Sequence, residues 1–170
     1  MLSLLRLNGV QLEQLSIKTL PVGEDRAAEE VYSVTLTHST LPPKTAQSET
    51  RMSLAVRVRP AKGTDPVHSY SDITITLTGR FSLDERITDD VADKIYPQTA
   101  VAMLFGIARG IVAQTTGLCP SGTFWFPPLD VTAAATRKRL SGDCILRRSV
   151  GAVTQDAGIA IEQKKAIPSQ

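Results

Sequence analysis

At 170 residues the chain has the size of one domain with a single core, and its 42% hydrophobic content is ordinary for a globular protein. A formal charge of +2 is too small to argue for nucleic acid, whose binding draws on many phosphate contacts from Lys and Arg. The first twelve residues show no basic region followed by a long apolar run, and Cys119 and Cys144 fit no zinc or redox spacing, so a cytoplasmic protein is expected, with reduced thiols and without secretory signal, metal or cofactor.

In chain order, Leu2 to Leu20 alternates loosely through Leu5, Leu7, Leu12, Leu15 and Ile17. It predicts one strand, or two short ones broken at Asn8-Gly9, ended by Pro21-Val22-Gly23. Glu24 to Glu30 is charged and alanine-containing, and is expected to be a surface connection. Three clearer strands follow. In Val31 to His38, Tyr32, Val34 and Leu36 share a face. In Arg51 to Arg59, Met52, Leu54, Val56 and Val58 oppose Arg51, Ser53, Arg57 and Arg59. In Asp72 to Leu83, Ile73, Ile75 and Leu77 oppose Asp72, Thr74, Thr76 and Thr78. Period-two alternation with β-branched residues predicts an antiparallel sheet with one wet face.

The second half changes period. Thr88-Asp89-Asp90 caps a predicted short helix from Val91, and Tyr96-Pro97 is expected to interrupt it. A long helix is predicted from Gln98 to Thr116, stopped by Gly117. Its stripe of Val101, Leu104, Phe105, Ala108, Ile111 and Val112 has helical spacing, and Ala100, Met103, Ile107 and Gly110 make a second apolar or small face. The central Arg109 argues against a membrane span. A helix apolar on nearly all sides needs two covers. One is its own sheet, and the other is expected to be a neighbouring protomer, met by Val101, Leu104, Phe105, Gly106, Ala108, Gly110 and Ile111. Gly106 and Gly110, four apart, admit a close backbone. A proline- and aromatic-rich connection from Leu118 to Asp130 follows. A second helix is expected from Val131 to Leu140, with Gly142 as its stop, and then a polar tail.

Chemistry-bearing groups are sparse. His38 and His68 sit in no metal-binding spacing, no glycine-rich phosphate loop is present, and Asp84, Glu85, Asp89, Asp90 and Asp93 suit a solvated loop and helix start. The sequence therefore predicts no catalytic residues and a protein that is not an enzyme.

Tyr96 to Gly117, in which a proline precedes Leu104, Phe105, Ala108 and Arg109, resembles the first helix of the SecB family of protein-export chaperones. Thr123-Phe124-Trp125-Phe126-Pro127-Pro128-Leu129-Asp130-Val131 resembles that family's crossover, and Gly79-Arg80-Phe81-Ser82-Leu83 resembles a strand end of it. The resemblance spans about Leu5 to Leu140. It implies an α+β fold, a four-stranded antiparallel sheet with two helices on one face, within a chaperone domain at 1–145 followed by a partly flexible C-terminal extension at 146–170. It further implies a homotetramer, a dimer of dimers stacked through the long helices. The implied activity is that of an ATP-independent holdase in protein export and transport, binding unfolded polypeptides through Phe124, Trp125, Phe126 and Leu129; the competing reading of Phe124-Trp125-Phe126 is core packing beneath the crossover.

Family members dock SecA partly on an acidic sheet face. Here the expected wet face carries Arg51, Arg57, Arg59 and Arg80, with Asp72 almost alone in opposition, so a dedicated client such as an antitoxin stands beside SecA as the implied partner. Two other readings use the same elements. One is a structural protein that self-assembles through sheet edge and helix. The other is a hot-dog-like thioesterase, for which Asp93 with Gln98 is a poor catalytic pair.

Overall fold

The computed structural model describes residues 5–21, 29–41, 49–62, 68–83, 89–126, 130, 133 and 139–147. The elements in chain order are β1 (Leu5–Thr19), β2 (Glu29–Leu41), β3 (Thr50–Pro60), β4 (Tyr70–Leu83), α1 (Asp89–Thr116) and β5 (Arg139–Arg147). They build a five-stranded antiparallel sheet in the order β1-β4-β3-β2-β5.

Alternation decides which face is dry. Tyr32, Val34 and Leu36 of β2, Met52, Leu54, Val56 and Val58 of β3, and Ile73, Ile75, Leu77 and Phe81 of β4 are all buried. A slip of one residue would turn each of these rows to water, which is what fixes the register. Each such side chain contributes about 1.5–3 kcal/mol on burial. Ala100, Val101, Leu104, Phe105, Ala108 and Val112 of α1 close the core from above, along the apolar stripe of a 3.6-residue period.

Gly79 permits that closure. A Cβ built there would lie 2.6 Å from Phe81 Cε2 and 2.9 Å from Leu104 Cδ2, so the helix descends onto β4 where a side chain is missing. The stretch Tyr96–Thr116 is long and apolar enough to cross a membrane. Its packing on the sheet gives that apolarity a partner inside the chain.

Strand β1 is the single strand that was one of the two expected forms, and the irregularity at Asn8-Gly9 is absorbed as a register shift between Leu7 and Gly9, with another between Leu12 and Gln14. The structure differs from the sequence expectations in two places. Helix α1 runs through Pro97. Tyr96 beside it is buried, with its ring edge-on to Phe81 at 5.8 Å, which ties the first turns of the helix to β4.

The second difference concerns the second helix and the strand count: a fifth strand, β5, joins the four expected. Arg139 and Leu140 belong to β5, and Gly142, expected as a helix stop, lies inside that strand opposite Val34. Of the preceding stretch Ala133 is helical, and 131–132 and 134–138 lie outside the described residues. A short run with mixed periodicity is decided by the partner it finds, and the open edge of β2 supplies a ladder of backbone hydrogen bonds. The boundary expected at 145 falls within β5, and 148–170 lie outside the described residues.

Candidate functional site

The crossover after α1 is held from both ends. Gly117 N donates to Ala113 O (3.0 Å), and the Thr116 hydroxyl donates to Val112 O (2.7 Å) while accepting from Phe124 N (2.8 Å). Gly122 has φ +83°, a left-handed turn that glycine adopts without strain, and its carbonyl accepts from the Tyr70 hydroxyl. Burial then alternates from residue to residue through Thr123, Phe124, Trp125 and Phe126.

Phe124 and Phe126 therefore point inward. Phe124 stands edge-on to Tyr32 (5.2 Å) and Tyr70 (5.7 Å), and Phe126 sits 5.8 Å from both Phe105 and Phe124. Both rings are fully buried, and Trp125 between them is 51% exposed. Of the four residues expected to hold clients, two are thus core, Trp125 faces out, and Leu129 lies outside the described residues. Leu118, on the same crossover and outside the expected client-binding set, is 87% exposed.

Beneath the crossover lies a polar group that the sequence reading placed on the surface. Glu30 is fully buried. It accepts from the Tyr32 hydroxyl (2.5 Å), Ser69 N (3.0 Å) and Ser69 Oγ (2.6 Å), and the Tyr32 hydroxyl in turn accepts from Tyr70 N (3.1 Å). Burial first, and the hydrogen bond to Glu30 second, push the Tyr32 hydroxyl well above its ordinary range. The signal was available: Glu30 shares the parity of Tyr32, Val34 and Leu36, which puts it on the inner face.

Ser69 and the buried His68 bond to different acceptors in this group. Ser69 Oγ donates to Glu30, and His68 Nε2 lies 2.9 Å from Val31 O with its ring edge-on to Tyr32 at 5.1 Å. The group works as a latch that binds the starts of β2 and β4 and, through Tyr70, the crossover. Among the described residues no group of three His, Cys, Asp or Glu could hold a metal ion.

Apolar surface gathers beside α1. In the register of β1, Val10 pairs with Gly79 and Leu12 with Leu77, on the inner side of the sheet, yet they are 38% and 46% exposed. On α1, the row Met103, Ile107 and Ile111 is half-buried against the core. At 100° per residue this row lies across the buried stripe from Phe105. Phe105 leans toward Phe126 and the β2 side, so the row faces β1, the opposite end of the sheet. Strand register and helical geometry together set Val10 and Leu12 opposite Met103, Ile107 and Ile111, and we read the two rows as the walls of an apolar trough. Strand β1 also leaves the outer side of its backbone ladder unpaired among the described strands.

The residues expected at a protomer interface divide accordingly. Val101, Leu104, Phe105 and Ala108 are spent on the chain's own sheet. Ile111 lines the trough. Gly106 and Gly110 face outward, and a Cβ at either would meet nothing within 4 Å.

The opposite face of the sheet is polar and cationic. Asp72 Oδ1 accepts from Arg57 Nε (2.9 Å) and Arg59 Nε (3.0 Å), and Asp72 Oδ2 accepts from Thr74 Oγ1 (3.1 Å). Burial pushes the Asp72 carboxyl up, but the hydrogen bonds from Arg57 and Arg59 outweigh it and hold the group below its ordinary value.

No family model matches the chain, and no curated protein matches it in sequence. A Streptococcus agalactiae protein of unknown function overlaps with a TM-score of 0.39 at 10% identity, over 73% of this chain and 97% of the other. A SecB-like chaperone of Mycobacterium tuberculosis, solved with a ChAD peptide from the HigA1 antitoxin, superposes with a TM-score of 0.55 at 12% identity, over 74% of this chain and 91% of the other. An antiparallel sheet in the order β1-β4-β3-β2, one long helix on its dry face and an aromatic crossover returning over β2 give this chain a SecB-like fold.

Proposed function

We propose that the protein is an ATP-independent holdase that binds extended, non-native polypeptide segments in the trough between β1 and α1. The observation that carries this reading is the exposure of Val10 and Leu12 on the sheet's inner register, beside the half-buried row Met103, Ile107 and Ile111. Contiguous apolar surface held open by a rigid sheet and helix marks an interaction site. An extended client lays alternate side chains into such a trough, and many modest contacts sum to broad affinity. Trp125 and Leu118 on the crossover offer a second anchor, since a half-exposed indole binds varied apolar partners at little entropic cost.

The SecB-like fold supports a chaperone, and the antitoxin peptide in the mycobacterial structure supports a dedicated client of that kind. The cationic outer face disfavours SecA. The outward Gly106 and Gly110, where a second backbone can approach, and the open β1 edge support a homotetramer, for which we propose a cytoplasmic location. The same open edge supports a second reading, a protein that self-assembles without holding clients.

The test is suppression of aggregation of a chemically unfolded protein, without nucleotide, at near-stoichiometric ratio. The holdase suppresses it, and Val10→Ser with Leu12→Ser removes most of that effect while leaving Tm within a few degrees. Failure of the unaltered protein to suppress aggregation, with assembly intact by light scattering, would leave the self-assembly reading in its place.

A further inference from the structure

The outer face of the sheet, on the side away from α1, holds a hollow lined by Ser33 and Thr35 of β2, Arg57, Arg59 and Pro60 of β3, and Lys62. Three cations stand there against one carboxylate, Asp72. Lys18 of β1 is opposite Asp72 in the ladder and adds a fourth. Asp72 takes the Nε of both arginines on a single oxygen, which fixes the two stems, while the side chains remain 49% and 57% exposed. A guanidinium carries five donors in a planar fork, so each arginine keeps its Nη edge to offer a carboxylate in bidentate geometry. Asp143 of β5 stands across Ser33, two strands from Arg59.

We infer that this hollow docks an acidic segment of a partner polypeptide, with side-chain carboxylates on Arg57 and Arg59, hydroxyl contacts from Ser33 and Thr35, and Lys62 at the rim. Charge complementarity selects a polyanion, and the remaining chemistry of the face selects a peptide. Its other described residues include Ser16, Ser53, Thr74, Thr76 and Thr78, and among the described residues it presents no aromatic ring on which a nucleic-acid base could stack. The hollow lies on the far side of the sheet from the trough, so the acidic partner and a client would bind together.

The test is fluorescence anisotropy of a labelled octaglutamate peptide on the full chain at low and physiological salt. The unaltered protein binds it, with affinity falling as salt rises. Arg57→Gln with Arg59→Gln weakens binding at least tenfold. Asp72→Asn, which keeps an acceptor oxygen for both Nε groups but removes the competing negative charge, tightens it at least threefold, a direction that misfolding would not produce. Arg6→Gln with Arg80→Gln, which removes the same charge at the other end of the face, changes it less than twofold. No binding at low salt, equal losses in the two double variants, or tighter binding of an oligothymidylate at the same arginines would each overturn the inference. So would self-association without peptide that the Arg57 and Arg59 changes abolish, since the occupant would then be a second copy.

Discussion

Gly79→Ala tests whether the helix rests on β4 through a missing side chain. The added Cβ would stand 2.6 Å from Phe81 Cε2, 2.9 Å from Phe81 Cζ and 2.9 Å from Leu104 Cδ2. These are well inside carbon–carbon contact, and both neighbours are fully buried with no free rotamer to take up. Overpacking of this kind costs about 1–3 kcal/mol. The gain from a less flexible unfolded chain is about 0.4–1 kcal/mol, so the net effect is destabilising. With central values of about 2 and ~0.7 kcal/mol the net loss is ~1.3 kcal/mol, and since each kcal/mol shifts Tm by about 2–4 °C for a chain of this length, the expected loss is about 3–5 °C in a thermal melt followed by circular dichroism.

A double-mutant cycle locates the clash. Leu104→Ala alone opens a cavity at a cost of about 2–5 kcal/mol. In the double variant the new methyl occupies part of that space, so the combined loss is smaller than the sum by more than the ~0.5 kcal/mol expected of independent sites. A Gly79→Ala protein as stable as the parent, or strict additivity in the cycle, would refute the packing described for this contact.

Burial pushes the Tyr96 hydroxyl up to about 12, and Tyr96 Oη has no hydrogen-bond partner among the described residues. Because the folded value is raised, the neutral phenol's contribution is fully present below pH 10 and is lost as pH rises toward 12, on the order of 1–3 kcal/mol. Tyr96→Phe should flatten that alkaline loss and match or exceed the parent's stability at neutral pH, read by denaturant melts across pH. Glu30→Ala strands the Tyr32 hydroxyl and both Ser69 donors in the core and should cost at least ~3 kcal/mol, with Glu30→Gln milder because it keeps an acceptor. Trp125→Ala should leave Tm nearly unchanged and weaken client binding several-fold, whereas Phe124→Ala should unfold the protein by about 3–5 kcal/mol. In hydrogen exchange the amides of β5, an edge strand interrupted by Gly142 and Asp143, should exchange faster than those of β3 and β4.

The alternating rows of β2, β3 and β4 and the stripe of α1 were legible in the sequence because period two and period 3.6 are local properties of the backbone. The resemblance to SecB pointed to the fold for the same reason, since it rested on one long helix and its crossover. Legibility failed where a residue's fate hangs on a distant partner. Phe124, Trp125 and Phe126 are equally apolar in one dimension, and only the position of Tyr32, Tyr70 and Phe105 separates the two buried rings from the exposed one. Val101, Leu104, Phe105 and Ala108 could serve a sheet or a neighbour until Gly79 showed how near the sheet lies.

Arg139 to Arg147 carries no decisive period of its own and became a strand because β2 offered an open edge. Glu30 looked solvated until its carboxylate met Ser69 and Tyr32, thirty-nine and two residues away. The sequence by itself determined which residues alternate and where the chain turns helical, since those follow from steric repeats within a few residues. Tertiary structure alone decided which apolar groups are consumed by the core and which stay open as the trough, because burial is set by what packs on a residue from elsewhere in the chain.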